Sequence, residues 1–597
     1  MEKHPGISSS LIILRWFLAW QKKHIGHSTY LILGSIIVGV LSALLAVLLK
    51  LFVQQMHRIP ELFFSWSNTT LWYIFLPLTG ILLTLLVVRF ILKGKIEKGL
   101  GPILFSIVKR SAKLSKDKIY SPLLTSGITV GLGGSAGLEA PIVISGSAIG
   151  SNIASWLNFG NKERILLLAC GAASGIAAVF NSPIAGVIFA IEVLLVDITI
   201  PVFIPLLIST ASAIIVSRFL YKSQLFFLIT HDWYYHALPF YILLGIICGM
   251  LSVYMTRVTL FVEGFFDSRK RILPKAIWGG LLLGVLIFLF PPLFGEGYTT
   301  INTLLNGNFT DLFKNSLFTS FQSSPWFLLL LTVIIILVKI FATSLTIGSG
   351  GNGGIFAPSL FTGALTGFAL AFFINTTGIT NLSVSNFIVV GMAGIISGVI
   401  HAPLTAIFLI AEITGGYVLF VPLMIVSALS YFITRYFEPY SVYTKHLAKK
   451  GHYFADDKDN TILQQLNLSE QIETEYVPVL VTDKFGSLIE AFTKSKRNIF
   501  PVIDKESHFI GIIQLENIKE FMFKPELYDQ LSIDELTEKN IVIIEQHEKM
   551  DSVMQKLEKS DLWNIPVTSG EKYIGFISKS NVLANYRKIL QKSASLF

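Results

Sequence analysis

Charge is scarce in this chain. Only 14% of its 597 residues are Asp, Glu, Lys or Arg, against roughly 25% in soluble globular domains, and mean hydropathy is +0.65. That deficit excludes a water-soluble enzyme. Cysteine is scarcer still: Cys170 and Cys248 both lie inside apolar runs, so they supply neither a disulfide framework nor a metal cluster. Short alternating strands, the mark of a membrane β-barrel, are missing from the apolar part; its 46 Phe and 46 Gly suit a many-helix bundle. An intramembrane metalloprotease needs H-E-x-x-H on a membrane helix, yet the only His-Glu pair, His547–Glu548, stands in a polar C-terminal stretch with Asp551 in place of the second histidine. Gly348 to Gly353 matches G-x-G-x-x-G, but it follows a long apolar helix rather than a strand, so it is no dinucleotide site. No lysine stands where a phosphate-binding loop needs one. The net charge of +9 lacks an aromatic-interleaved basic face, which excludes a nucleic-acid partner; in so apolar a chain, positive charge marks cytoplasmic loops. A cation transporter would need several acidic pore residues, and only one is found.

What is there is a polytopic α-helical membrane protein. Bilayer-length apolar runs occur at about 30–52, 72–92, 165–180, 183–220, 239–263, 276–294, 326–347, 355–374, 386–400 and 404–436, several broken at Gly or Pro. The N-terminal segment, 1–27, has Arg15 inside its apolar stretch and no small-residue cleavage site before Lys22 and Lys23. It reads as an interfacial cytoplasmic helix rather than a removable signal. A basic loop (Lys93, Lys95, Lys98, Lys109, Arg110, Lys113, Lys116, Lys118) belongs in the cytoplasm. The membrane domain spans 28–437, in halves of about 28–220 and 239–437. A linker, 438–474, leads to a soluble α+β tail with one module at 475–525 and a second at 534–590.

Both parts repeat internally. GAASGIAAVFNSPIAGVIFAIE (Gly171 to Glu192) aligns without a gap on GMAGIISGVIHAPLTAIFLIAE (Gly391 to Glu412), 220 residues on, and GLEAP, ending at Pro141, on GIFAP, ending at Pro358, 217 residues on. Two such matches imply homologous halves with helices interrupted at corresponding places, the pattern that marks a midplane ion site. In the tail, Ile499 to Ile513 resembles Asn564 to Ser578, each read as strand, turn, strand and then helix.

The interruptions carry the chemistry. Glu139 is the only charged residue between Tyr120 and Lys162, and a carboxylate in hydrocarbon costs several kcal/mol, so it must face protein or a water-filled path. Gly131, Gly133, Gly134 and Gly137 precede it and Pro141 opens a new helix. A helix beginning inside the membrane points free N–H groups and about half a positive charge at whatever lies ahead, and an anion is held there without a full countercharge. Gly348, Gly350, Gly351, Gly353 and Gly354 before Ile355–Pro358 repeat the device. Two opposed helix N-termini should therefore meet, with the Glu139 carboxylate competing for the same place.

Together with GEGY (Gly295 to Tyr298) and the stretch Lys339 to Leu360, these motifs resemble, over about residues 30–445 and in chain order, the CLC family of chloride channels and proton-coupled chloride exchangers. The tail resembles the pair of CBS modules that many members carry. The resemblance implies an inverted-repeat fold of broken, tilted helices. It makes Glu139 the external gating glutamate and assigns the central anion to the amides of Ile355 and Phe356 and the hydroxyl of Tyr443. It implies pore-motif glycines at Gly99, Gly101, Gly137 and Gly354. The family's first pore motif has a serine where Leu100 stands, leaving only backbone contact there and selectivity open. Leu138 replaces the usual basic residue before the gating glutamate, which should weaken anion attraction at the outer mouth, and Ala140 replaces a glycine after it. Val193 replaces the exchangers' inner proton glutamate. Chloride-type anion permeation of channel-like character is the resulting expectation; the alternative is proton-coupled exchange along Glu139 and the adjacent Glu192. Glu192 and Glu412 otherwise read as caps for helix ends at the repeat interface, and His401, aligned with Asn181, as a polar helix cap.

No resident cofactor or metal is expected in the membrane part. In CBS pairs an adenine nucleotide is held by Ser/Thr and Asp after each module's second strand. Here those places read Gln514 and Asn517, then Ser578 and Asn581, without either aspartate. A structural dimer clamp is the leading expectation for the tail, with nucleotide sensing beside it. The expected partners are chloride or a similar anion, the bilayer and a second copy of the chain, one pore per subunit. The expected location is multi-pass in a membrane, the cell membrane if the source is prokaryotic, with termini and tail in the cytoplasm.

Overall fold

A backbone in hydrocarbon must satisfy its own hydrogen bonds, and helices do so within one segment. A computed structural model of the protein describes residues 26–66, 74–94, 99–109, 112–195, 200–221, 231–269, 271–313, 317–318, 324–445, 448, 466–560 and 562–594. The expected interfacial helix up to residue 25, Lys95, Lys98 and Arg110 of the basic loop, and linker residues 446–447 and 449–465 lie outside them. The chain divides into two units, Met1–Tyr453 and Phe454–Phe597.

Among the described residues of the first unit, eight helices are long and apolar enough to cross a membrane, and shorter apolar ones lie at Phe75–Phe90, Pro183–Leu194, Val384–Ile400 and Pro403–Ile413. The first, His27–Trp66, has 40 residues; at about 1.5 Å per residue it is about 60 Å long, roughly twice the hydrocarbon thickness. Two apolar runs break where proline or an irregular turn intervenes. The run 183–220 becomes Pro183–Phe189, a π-helical turn Ala190–Leu194 and Ile200–Leu220; the run 404–436 becomes Pro403–Ile413 and Phe420–Phe437.

The internal repeat reappears in the packing. The most extensive helix contacts are Glu139–Trp156 on Asn161–Phe180 and Phe356–Thr377 on Val384–Ile400, aligned in the two halves. Both pairs approach backbone to backbone: a Cβ at Gly146 would strike the Gly171 carbonyl, and one at Gly363 the Gly391 carbonyl. Small residues of this kind let membrane helices pack where no hydrophobic force separates lipid from protein. Asn181 and His401, at φ 56° and 62°, end the second helix of each pair in the left-handed conformation, each two residues before a helix-starting proline. That geometry stops the helix and lets the next begin.

Those next helices are capped across the repeat. The Glu192 carboxylate accepts hydrogen bonds from the Leu404 and Thr405 N–H groups (3.1 and 2.8 Å) and the Thr405 hydroxyl (2.7 Å). Glu412 accepts from the N–H groups of Ile184 (3.1 Å) and Ala185 (2.8 Å). Each carboxylate thus satisfies orphan donors of the helix that opens the opposite half's segment.

The second unit holds two three-stranded sheets of one topology. In the first, β1 (Val479–Leu480) runs parallel to β2 (Ile499–Ile503), which pairs antiparallel with β3 (Phe509–Gln514). In the second, β4 (Ile544–Glu545), β5 (Asn564–Ser569) and β6 (Lys572–Ser578) repeat the order. A helix joins β1 to β2 (Phe485–Lys494) and another β4 to β5 (Met550–Lys559). Pro501 and Pro566 sit in the two central strands, one residue before pairing to the parallel strand begins at Val502 and Val567, where a missing N–H costs no ladder bond. Ile512 of the first module pairs with Glu538 of the second, and Phe576 of the second with Glu473, which lies in the stretch expected as linker.

Candidate functional site

The two glycine-rich interruptions meet. Gly137 N–H donates to the Gly354 carbonyl (2.8 Å) and Gly354 N–H to the Gly137 carbonyl (2.7 Å), a two-residue antiparallel bridge between loops 217 positions apart. Gly133 and Gly350, at φ 97° and 124°, turn the incoming chains in a region that a Cβ makes costly. Reciprocal threonines lock the loops: Ser135 N–H donates to the Thr346 hydroxyl and Asn352 N–H to that of Thr129, both at 3.1 Å. Bridge and locks alike obey the offset of 217 residues.

Immediately beyond the bridge the helices Glu139–Trp156 and Phe356–Thr377 begin. Their first-turn N–H groups lack intrahelical acceptors and their dipoles put partial positive charge on the shared point. Glu139 is the first residue of its helix and 1% exposed. Its carboxylate accepts a short hydrogen bond from the Tyr298 hydroxyl through Oε1, with its own N–H and that of Ala357 as the adjacent backbone donors. Oε2 is buried without a full hydrogen bond among the described residues. Negative charge at this point is favoured by two helix ends.

Ile355 and Phe356 are buried at the start of the second helix, and the Phe356 ring packs on Phe180 with centroids 5.5 Å apart. Tyr443 is buried and feels the Glu139 charge; its carbonyl oxygen would lie 3.9 Å from a Cβ on Gly101. The Gly99–Pro102 motif and Tyr443 are therefore neighbours. Leu100 turns its side chain into the apolar core, while its carbonyl accepts from Ile103 and Leu104. Glu192 stands apart from this group: both its oxygens are engaged by Leu404 and Thr405. The half-buried Val193 packs against the core.

Three residues beside Glu139 received no role from sequence reasoning: Glu296, Tyr298 and Lys339. The Glu296 carboxylate accepts from the Leu138 N–H at 3.3 Å. Lys339, wholly buried, donates to the carbonyls of Leu293 (3.2 Å) and Gly295 (2.9 Å) and lies 4.8 Å from the Phe361 ring centre. Only Lys339 carried a signal, as an ionisable residue inside the apolar run 326–347, a functional candidate by default.

In the tail, Gln514 donates to the Glu538 carboxylate (3.3 Å) and Asn517 makes a short bond to the same group. Ser578 pairs with the Ser580 hydroxyl (2.6 Å), and Asn581 accepts from Asn585 (3.1 Å). Asp504, Glu506 and His508 are near enough to one another to share a cation. Asp504 is nevertheless already engaged, by the N–H groups of Glu506 and His508 and by the His508 ring, as in an ordinary turn.

A family described as "Voltage gated chloride channel" matches residues 80–435. The chain is 31% identical over 385 residues to a putative chloride channel protein ClcB-like of Ralstonia nicotianae, covering 62% of this chain and 85% of that protein. It is 33% identical over 311 residues to an H(+)/Cl(-) exchange transporter ClcA of Vibrio cholerae, covering 50% and 62%. In fold it resembles a slow cyanobacterial Cl-/H+ antiporter (TM-score 0.60, 23% identity, 70% of this chain and 97% of the other). It also resembles a eukaryotic CLC transporter (TM-score 0.60, 18% identity, 92% and 97%). The architecture is the CLC-type helical membrane fold with an added α+β region. With more than half its length matched and two helix N-termini meeting as the repeated motifs require, this multi-pass chain belongs to the voltage-gated chloride channel family.

Proposed function

We propose that the protein conducts chloride or a similar anion across the membrane in a channel-like manner, gated by Glu139. The observation that carries this reading is the Gly137–Gly354 bridge, which brings two helix N-termini to one point with a carboxylate seated on it. Amides and dipoles hold an anion weakly enough for it to leave. Amides of Ile355 and Phe356 face this point, and Tyr443 with the Gly99–Pro102 motif closes the far side. Ionised, Glu139 occupies the anion's place; protonated, it yields to the anion, so flux rises as pH falls.

Val193 cannot relay a proton, and the adjacent Glu192 is spent on capping a helix, which favours passive conduction. The second reading, proton-coupled exchange along Glu139 and Glu192, draws on the exchange transporter among the relatives. Reconstituted vesicles separate the two: an imposed anion gradient drives protons uphill only in an exchanger. Glu139→Gln should abolish the pH dependence of anion flux; unchanged flux and pH dependence would sink the gating assignment.

The working form is a homodimer with one pore per subunit, placed in a cell membrane with termini and tail on the cytoplasmic side. The tail is a CBS-type pair that clamps the dimer. Glu538 supports that role over nucleotide sensing, since it places a carboxylate on the amides of Gln514 and Asn517, where phosphate or ribose would need donors free. Calorimetric titration of ATP into the protein tests this: no heat is expected, and micromolar binding would restore the sensing role.

A further inference from the structure

The segment Gly295–Tyr298 touches the gate twice, and neither contact follows from the anion site itself. Tyr298 donates its hydroxyl to the Glu139 carboxylate. Two residues earlier, Glu296 accepts the N–H of Leu138, the residue that caps the gate helix. The segment is itself fixed from below: Lys339 holds the carbonyls of Leu293 and Gly295, and Gly297, at φ 90°, starts the short helix Tyr298–Leu305 in the left-handed region. A Cβ on Gly297 would strike the Phe361 ring, which also receives the Lys339 ammonium on its face. The segment therefore cannot drift from the gate without disturbing the helix that carries Phe356.

We propose that Glu296 and Tyr298 form a latch on the gate: Tyr298 holds the Glu139 carboxylate in its seat, and Glu296 occupies the Leu138 N–H that an anion entering beside the gate helix would otherwise take. The inference rests on the gating role proposed for Glu139. Opening requires the Tyr298 bond to break, and occupancy next to the gate is a competition between the incoming anion and the Glu296 carboxylate for one donor. Lys339 is the positioning residue that keeps both contacts in register.

The charged and titratable groups facing the gate come from several elements. Lys50, on the first helix, acts on Glu139, and Glu139 in turn acts on Glu296 and on Tyr443, in the chain after the last membrane helix. Lys50, Lys339 and Glu139 act on Glu296. Two carboxylates thus balance two ammonium groups around the gate. Lys50 is tied to the carbonyls of Ala178 (3.4 Å) and Val179 (2.7 Å), and it reaches the cluster by charge rather than by contact. Neutralising Glu296 leaves the lysines in excess and weakens its hold on the Leu138 donor, which a neutral oxygen accepts less strongly than a carboxylate, and both changes favour an anion.

Anion efflux from vesicles reconstituted with the full chain tests the latch. A hydroxyl donating to a carboxylate favours its ionised form, so Tyr298→Phe should let Glu139 protonate and leave its seat at lower proton concentration. The flux–pH curve should move to higher pH by about one unit, and the same substitution in a Glu139→Gln background should move nothing. Glu296→Gln keeps an oxygen for the Leu138 N–H while removing the charge; it should lower the half-saturating chloride concentration several-fold and leave the maximal rate in place. An unmoved curve for Tyr298→Phe, or a shift that survives in the Glu139→Gln background, overturns the latch. So does an unchanged half-saturating concentration for Glu296→Gln; should that variant not fold, Tyr298→Phe decides alone. If Glu139→Gln itself retains the pH dependence of the parent, the gating reading has failed; if it is flat while Tyr298→Phe does nothing, only the latch has.

Discussion

The role proposed for Glu139 comes from its surroundings. A carboxylate at the first position of a helix is ordinarily a modest stabiliser, worth about 0.3–1 kcal/mol at an exposed site. Here two helix ends, a tyrosine hydroxyl and nearly complete burial act on it together, and in the proposed mechanism an entering anion takes the same amides. The seat depends equally on what is absent from Gly354. A Cβ there would lie 2.8 Å from that of Ala140 and 3.2 Å from the Ala140 nitrogen, too near for either backbone to hold its place. Gly354→Ala should therefore part the Gly137–Gly354 bridge and cost about 1–3 kcal/mol of overpacking. A lower thermal midpoint in detergent together with reduced anion flux is the expected result; flux at the parent level would mean the bridge does not set the site.

At the scale of elements, the crossed caps explain how such short helices persist. Pro183–Phe189 has 7 residues and Pro403–Ile413 has 11, lengths at which isolated helices are marginal in water. Each receives a carboxylate from the other half of the repeat at its exposed N–H groups. Glu412→Ala should cost about 1–2 kcal/mol, the usual worth of a lost N-cap, and Glu192→Ala a similar amount by symmetry, slightly more because the Thr405 hydroxyl also loses its partner. The two thermal midpoints in detergent should fall together. Proton movement in vesicles should be the same for Glu192→Ala as for the parent; a changed proton response with no loss of stability would instead make Glu192 a proton carrier.

For the molecule as a whole, the sequence was most legible where symmetry doubled the signal. GLEAP and GIFAP announced the meeting of Gly137 with Gly354, because a proline-led helix after a glycine run has few other uses inside a membrane. The paired segments ending at Glu192 and Glu412 announced two further helices and, in their glutamates, caps at the repeat interface; what they did not spell out is that each glutamate caps the helix of the opposite half. Glu296 and Tyr298 were illegible for the opposite reason: GEGY has no counterpart in the first half, and its partners, Leu138 and Glu139, stand about 160 positions away. Hydropathy likewise merged Pro183–Phe189 with Ile200–Leu220, since an irregular turn between apolar residues leaves no trace in composition.

The tail differs from the membrane unit in carrying charge at its surface, and acid should separate the two. Desolvation opposes ionisation of Asp504, but the N–H groups of His508 and Glu506 and the His508 ring together overcome it and hold the carboxyl below its ordinary value of 3.8. At Glu548 burial is likewise outweighed, by the Ser552 hydroxyl, the Lys556 ammonium and the Glu545 N–H, so this carboxyl lies below 4.5. A carboxyl whose pKa is lower folded than unfolded adds stability above the unfolded value and loses it as pH falls through the folded one. Both groups therefore support the tail at neutral pH and desert it below about pH 4.5, beginning with Glu548, whose unfolded value is the higher. In the full-length protein, neither carboxyl titrates between about pH 6 and 8, so thermal unfolding of the tail should be insensitive to pH there, and its midpoint should drop as pH falls from about 5 to 3. Glu548→Gln should lower the midpoint at pH 7 and flatten the acid limb, because the amide cannot gain or lose the proton that drives it; an acid limb as steep as the parent's would place the titrating groups elsewhere in the tail.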